Sequence, residues 1–311
     1  MKMTAVAITL FVCLFSNPAS ADAHGAGGEA LIAAYQMPSD KAGNFDGMMA
    51  AAMMASQSGA KLIIFPESSV FGWLNPQAFY GADKIPGTYA EMFQKIAVSA
   101  GIWVAAGIAE QAYPSRIPSG AYHVYDSGLL INKKGVIKIR HRKVSVLKNA
   151  FDPAACKKAF GTDSCEYAAG TASDITVVDT PFGRTGILVC ADAYTYDPTA
   201  LKAMKALKPD FVIIPWGVGA AKSSECGQSG FNATEYAAAA AKYIGTAWVA
   251  GANAVGNRPY GRFRPAVYCG YSGYSSPDGQ TTGGSTSDTP GLVYFKLPLG
   301  AKSKMKEKVA Q

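Results

Sequence analysis

Three side chains of different character stand where apolar runs end. Glu67 follows Leu62-Ile-Ile-Phe-Pro66, Lys143 follows Arg140-His-Arg142, and Cys190 ends Thr185-Gly-Ile-Leu-Val-Cys190. A run that stops at such a residue leaves it at the rim of a core. A cysteine nucleophile needs a base to take its proton, and a cation to stabilise the thiolate and the oxyanion that follows. Glu67, Lys143 and Cys190 meet those needs without a histidine. Each also has a plain structural reading. Glu67 suits the cap of a following helix, Lys143 is one more cation in a basic cluster, and Cys190 is a small core residue.

The other common chemistries lack their residues. The chain has three His (His24, His123 and His141) and no Cys-x-x-Cys pair, so neither a His-rich metal site nor zinc fits. No phosphate-binding Gly-x-x-x-x-Gly-Lys-Ser/Thr, no Gly-x-Gly-x-x-Gly after a strand and no Gly-x-Ser-x-Gly elbow occurs. The reading calls for no cofactor and no metal. Net charge is +7, but Lys and Arg are scattered, with two short clusters at 133–148 and 302–308. That pattern reads as solubility and affinity for acidic surfaces, not as a nucleic-acid footprint.

The elements that must position these groups alternate between strand and helix. Hydrophobic residues at 49 % and charged residues at 16 % exclude disorder and a coiled coil. Strands are expected at 30–35, 61–66, 103–108, 122–132 and 135–140, with helices at 45–59 and 89–100. The second half echoes the first, with helices at 200–207 and 235–243 and strands at 185–190, 210–215 and 248–253. Pro66 and Pro215 end similar runs, and Trp103-Val-Ala-Ala-Gly107 resembles Trp248-Val-Ala-Gly251. The offsets are 149 and 145 residues, which points to internal pseudo-symmetry within one α/β domain.

Residues 1–23 have the three parts of a secretion signal: Lys2, an apolar run Ala5–Phe15, and small-residue cleavage patterns ending at Ala21 and Ala23. The mature domain is then 24–311, its core about 30–298. No lipoprotein box precedes Cys13, so the product is expected to be secreted or periplasmic, with no membrane anchor. Five cysteines remain after cleavage, and in an oxidising compartment an odd count leaves one thiol free. Cys156 and Cys165 lie nine apart in a polar loop suited to a disulfide, and Cys226 and Cys269 sit in loop-like Gly/Ser surroundings. Those pairings leave Cys190 free.

The segments Leu62-Ile-Ile-Phe-Pro-Glu67, Arg142-Lys143 and Thr180-Pro-Phe-Gly-Arg-Thr-Gly-Ile-Leu-Val-Cys190-Ala-Asp192 together resemble the carbon–nitrogen hydrolase (nitrilase) superfamily. The resemblance covers about 30–298. It implies a four-layer α-β-β-α sandwich with internal pseudo-symmetry, and Glu67 as base, Lys143 as oxyanion cation and Cys190 as nucleophile. The N–H of Ala191 becomes a second oxyanion donor. The family commonly adds a second Glu, for which Glu166 is the candidate and Asp152 a substitute. The export signal, the cysteines beside Glu166 and Cys190-Ala-Asp-Ala-Tyr-Thr-Tyr-Asp-Pro198 also resemble the secreted biotinidase and pantetheinase branch.

The implied reaction is hydrolysis of a small-molecule amide through a cysteine thioester. Asp192 two residues after the nucleophile resembles the amidase branches, not the Cys-Trp-Glu of true nitrilases. Nitrile hydrolysis and acyl transfer to an amine are the alternatives, and a secreted binding protein is the non-enzymatic one. Tyr194, Trp216 and residues of 71–80 and 113–121 are the expected pocket walls. The family trait of pairing through the helix after the nucleophile, about 197–207, implies a homodimer or larger homo-oligomer.

Overall fold

Short strands with no polar residue to turn outward dictate a layered architecture. Leu62–Ile64 and Phe211–Trp216 are buried along their whole length, so each needs cover on both faces. The computed structural model describes residues 28–116, 122–262, 266–280 and 282–300; residues 1–23, where an export signal is expected, and the chain beyond 300 lie outside them.

Two six-stranded sheets supply one layer of cover each. In the first, the strands lie in the order Gly291–Pro298, Glu29–Gln36, Leu62–Ile64, Trp103–Arg116, Tyr122–Ile131 and Ile137–Arg142. In the second, the order is Thr282–Gly284, Gly273–Ser275, Trp248–Asn253, Phe211–Trp216, Gly183–Ile187 and Val177–Thr180. Successive side chains on a strand point to opposite faces. Ile32, Ala34, Leu62 and Ile64 accordingly meet Phe211, Ile213, Ala250 and Ala252 between the sheets. Ala33, Ile63 and Val104 turn the other way, onto helices Phe45–Gln57 and Thr88–Ala100. Val212, Ile214 and Val249 turn onto helices Thr199–Ala206 and Ala233–Ile244. The result is the expected α-β-β-α sandwich. Burying each aliphatic side chain is worth about 1.5–3 kcal/mol, and a charge at Ile213 would stand unpaired between the sheets.

The sequence echo is a structural one. Leu62 pairs in parallel with Trp103 in the first sheet, as Phe211 pairs with Trp248 in the second. Element ends follow local chemistry. Asn232 accepts from the N–H groups of Thr234 and Glu235, and Gly245 closes the same helix in the left-handed conformation, which extends it to 233–244. The strand expected at 135–140 runs over Ile137–Arg142, so Lys143 is the first residue beyond it.

Candidate active site

Glu67 lies in the loop after Leu62–Ile64, where the strand ends of the two sheets meet. Its N–H donates to the carbonyl of Trp216 at 3.1 Å, so the loop is tied to the opposite sheet. Ser69 Oγ donates to the carbonyl of Pro66 at 2.6 Å. Two glycines make room. A Cβ on Gly107 would stand 2.6 Å from Glu67 Cα, and one on Gly217 would stand 1.9 Å from Glu67 Oε2.

Lys143 is buried and reaches Glu67 from the end of its strand. Its Nζ donates to Glu67 Oε1 and lies 3.4 Å from Asp126 Oδ2 and 5.6 Å from the centre of the Trp73 ring. The other oxygen of Glu67, Oε2, is buried with no hydrogen-bond partner. A buried acceptor left unmade is costly, by about 1–3 kcal/mol, and such groups cluster where chemistry needs a free lone pair.

Cys190 does not end a strand as the apolar run suggests. The strand Gly183–Ile187 stops first, and Cys190 opens a tight 3-10 turn over Cys190–Ala193 with φ +42°. A non-glycine residue in that region is strained and persists only where its surroundings impose it. Asp192 does the imposing. It is fully buried; its Oδ1 accepts from the N–H groups of Val144 and Ser145, each at 2.8 Å. Its Oδ2 accepts from Val189 N–H at 3.1 Å and lies 2.7 Å from His141 Nε2. One carboxylate thus ties the nucleophile turn to the segment that carries Lys143.

The charges balance within this volume. Burial first, and then Glu67, push the Cys190 thiol up to about 12, with Lys143 opposing. Burial pulls the Lys143 ammonium down, but attraction to Glu67 and Asp126 outweighs it and holds the group well above the usual lysine range. Burial, then Glu67, raise Asp126 well above the usual carboxylate range. At rest the site holds a Glu67–Lys143 ion pair, a second buried carboxyl on Asp126 beside that lysine, and a Cys190 thiol.

The remaining expected residues divide. Tyr194 has its hydroxyl 3.7 Å from Cys190 Sγ and stacks on Tyr236 at 4.5 Å. Trp216 is fully buried and backs Tyr194 at 6.4 Å. Within 71–80, Trp73 approaches Lys143, while residues 117–121 lie outside the described ones. Ala191 follows the nucleophile at the start of the turn, where N–H groups lack acceptors within the helix. Glu166 makes its bonds at the rim, accepting from Asn149 N–H at 2.8 Å and pairing with Lys148 at 3.2 Å. It does not touch Lys143; Asp126 does. Asp152 caps the helix Pro153–Phe160. The disulfides Cys156–Cys165 and Cys226–Cys269 are both present, and Cys190 is free. Two clefts, about 400 and 230 Å³, lie away from the triad, one at Pro38 and Asp288, the other beside Cys156–Cys165.

Comparison with known proteins agrees with this arrangement. The carbon–nitrogen hydrolase family model matches residues 31–306. Canine (Canis lupus familiaris) pantetheinase is 24 % identical over 195 residues, 55 % of this chain and 35 % of that protein. The omega-amidase NIT2-B of Xenopus laevis is 27 % identical over 140 residues, 44 % of this chain and 45 % of that protein. The chain thus spans less than half the length of these curated relatives. An amidase from Nesterenkonia sp. superposes with TM-score 0.65 at 21 % identity, covering 92 % of this chain and 96 % of that one. A variant of the Nesterenkonia sp. AN1 amidase carries the acetamide moiety of fluoroacetamide on its active-site cysteine, and superposes with the same TM-score of 0.65 at 22 % identity over 86 % of this chain and 90 % of that one. The chain belongs to the carbon–nitrogen hydrolase family, and its fold is that of the nitrilase-superfamily amidases.

Proposed function

Starting from that membership, we propose that this chain hydrolyses a small-molecule amide through a thioester on Cys190. The observation that carries the reading is the unpartnered Oε2 of Glu67, buried beside a lysine that holds the other oxygen. With the Cys190 thiol pushed up to about 12, little thiolate exists at neutral pH, so attack requires a base. Glu67 takes the Sγ proton as sulfur bonds to the amide carbon. The Lys143 ammonium and the Ala191 N–H stabilise the oxyanion. The tetrahedral intermediate collapses, the C–N bond breaks, and the proton on Glu67 passes to the departing ammonia or amine. Water then attacks the thioester, giving its proton to Glu67, and releases a carboxylic acid and the thiol.

Several features support amide over nitrile: Asp192 after the nucleophile, and relatives named pantetheinase and omega-amidase. The two disulfides support folding in an oxidising compartment, in keeping with residues 1–23 as an export signal and 24–311 as a secreted or periplasmic enzyme. Pairing through the helix that follows the nucleophile would make it a homodimer or a larger homo-oligomer.

The test is an ammonia-release screen of the mature protein over aliphatic amides, carbamoyl amines, pantetheine-like amides and nitriles. Release from at least one amide, lost in Cys190→Ala, is expected. Release from nitriles alone would replace the amidase reading with nitrile hydrolysis. No release from any, with Cys190 inert to alkylation, would leave a binding protein on this fold.

A further inference from the structure

The sulfur of Cys190 has a neighbour that the proposed mechanism leaves unused. Around it stand Glu67, Lys143, the Gly217 N–H and the hydroxyl of Tyr194, which lies 3.7 Å from Sγ. The nucleophile turn itself puts that hydroxyl there. Tyr194 directly follows Cys190–Ala193, and its N–H donates to the Ala191 carbonyl at 3.1 Å, so the chain folds back toward the sulfur. The ring is then clamped. It stacks on Tyr236 at 4.5 Å and on Trp216 at 6.4 Å, with Tyr196 5.3 Å away. Aromatic pairs at such spacings favour fixed relative orientations. Tyr236 is held in turn, because its own hydroxyl donates to the Gly230 carbonyl at 2.9 Å and its helix Ala233–Ile244 packs on the second sheet. With its plane fixed, the Tyr194 ring keeps its oxygen beside Sγ.

A neutral sulfur is a weak acceptor, and ionisation of the acceptor strengthens a hydrogen bond about twofold. The contact therefore gains most when the sulfur carries charge. That happens as Glu67 takes the Sγ proton, and again when the C–S bond of the thioester breaks and its electron pair returns to sulfur. We propose that Tyr194 is a catalytic residue of this site, its hydroxyl donating to Cys190 Sγ a hydrogen bond that strengthens as the thiolate develops. The phenolic proton stays on its oxygen throughout, and the sulfur regains its own proton from Glu67. Burial first, and then Cys190, hold the Tyr194 phenol well above the usual tyrosine range, which agrees with a hydroxyl that donates and does not act as a base. The inference rests on the amidase reading of the triad.

The test compares wild type with Tyr194→Phe, which keeps the ring stack and removes only the hydroxyl. Iodoacetamide labelling of Cys190 at neutral pH is read by intact mass, alongside kcat and KM for ammonia release. Tyr194→Phe should label about tenfold more slowly and lose about tenfold in kcat, as for one hydrogen bond to a charged group, with KM within about twofold of wild type. A Tyr194→Phe that labels and turns over at the wild-type rate overturns the inference alone. A raised KM with kcat and labelling unchanged also overturns it, because the residue is then a binding wall. Loss of the native circular dichroism in Tyr194→Phe would make the hydroxyl a structural group, with the same consequence. A wild type that labels but releases ammonia from no amide overturns the amidase reading, and the labelling ratio alone then decides whether the hydroxyl holds the sulfur. A wild type that does neither overturns both.

Discussion

Arg142 and Lys143 are neighbours in the chain, point to opposite faces of one sheet edge, and each finds a buried glutamate. The two pairs differ in what is left over. Glu110 spends both oxygens: Oε1 accepts from Arg142 Nε at 2.9 Å, and Oε2 accepts from Ser127 Oγ at 2.8 Å. The Arg142 side chain is 33 % exposed and lies over the Tyr125 ring at 4.0 Å. Glu67 spends one oxygen on a lysine 2 % exposed and keeps the other unpartnered. The same charge pairing is thus a satisfied brace on one face and an incomplete site on the other. The free lone pair, not the ion pair, separates structure from chemistry.

The largest expected break in this comparison comes from the reactive side. Cys190→Ala should abolish ammonia release while far-UV circular dichroism stays native; residual turnover above contamination removes the thioester route. Lys143→Ala should lower kcat by on the order of 10²–10³ or more, and Lys143→Arg should not restore it, because a planar fork does not fit the point the ammonium occupies. Pre-steady-state acylation reads both; Lys143→Ala acylating at the wild-type rate would refute the role given to Lys143.

Asp192→Asn comes next. It replaces an acceptor facing His141 and three N–H groups with a side chain that must turn a donor toward one of them. The strained turn at Cys190 loses its brace, so a stability loss of about 3 kcal/mol should accompany a fall in kcat. Urea denaturation and steady-state rates measure the two together. A variant with native stability and a native rate would mean that the turn holds without this carboxylate.

Glu110→Gln sharpens the comparison by failing to affect chemistry. It should lower stability by about 1–3 kcal/mol, seen as a lower Tm, while the folded fraction turns over normally. If the folded fraction of Glu110→Gln loses ammonia release, the division between the two faces is wrong.

The smallest effect is an alkaline one. Burial and Glu67 hold the Cys190 thiol at about 12 in the folded chain, against the ordinary cysteine value of 9.0. Between those values the native state holds a proton that the unfolded chain has lost, so stability falls as pH rises through that window and is full below it. The buried Tyr167, raised from 10.0 by desolvation, acts in the same direction. Cys190→Ala should therefore lose less stability than wild type between pH 8 and pH 10, by about 1 kcal/mol. Equal losses would indicate an ordinary thiol.

Much of this architecture was legible from local pattern. All-apolar runs marked the doubly covered strands, and a charged or nucleophilic residue at the end of each marked the meeting place of Glu67, Lys143 and Cys190. Asp126 left a fainter trace: Val124, Asp126 and Gly128 share one face of a strand, so a carboxyl stood at a core-facing position with no local partner. Asp192 left less, since its acceptors serve N–H groups of Val144 and Ser145, nearly fifty residues earlier, and only the packed sheets join them. Glu166 misled for the converse reason. It lies between the lysine and cysteine motifs in the chain, yet in space its bonds are to Asn149 and Lys148 at the rim. Order along a chain constrains which residues can meet, while burial and register decide which of them do.

The free thiol shares the chain with four cysteines committed to two disulfides. Disulfide exchange proceeds through thiolate, and a thiol resting near 12 presents only about 10⁻⁵ of that form at neutral pH. Cys190 is also 2 % exposed, so no bulky oxidant or partner disulfide reaches it. Once the sandwich has closed, the cysteine proposed as nucleophile is the one least able to scramble the bridges around it. Under the proposed mechanism its reactivity appears only when a small electrophile sits within reach of Glu67, so the same burial that makes the thiol dependent on a base gives it shelf life among oxidised neighbours.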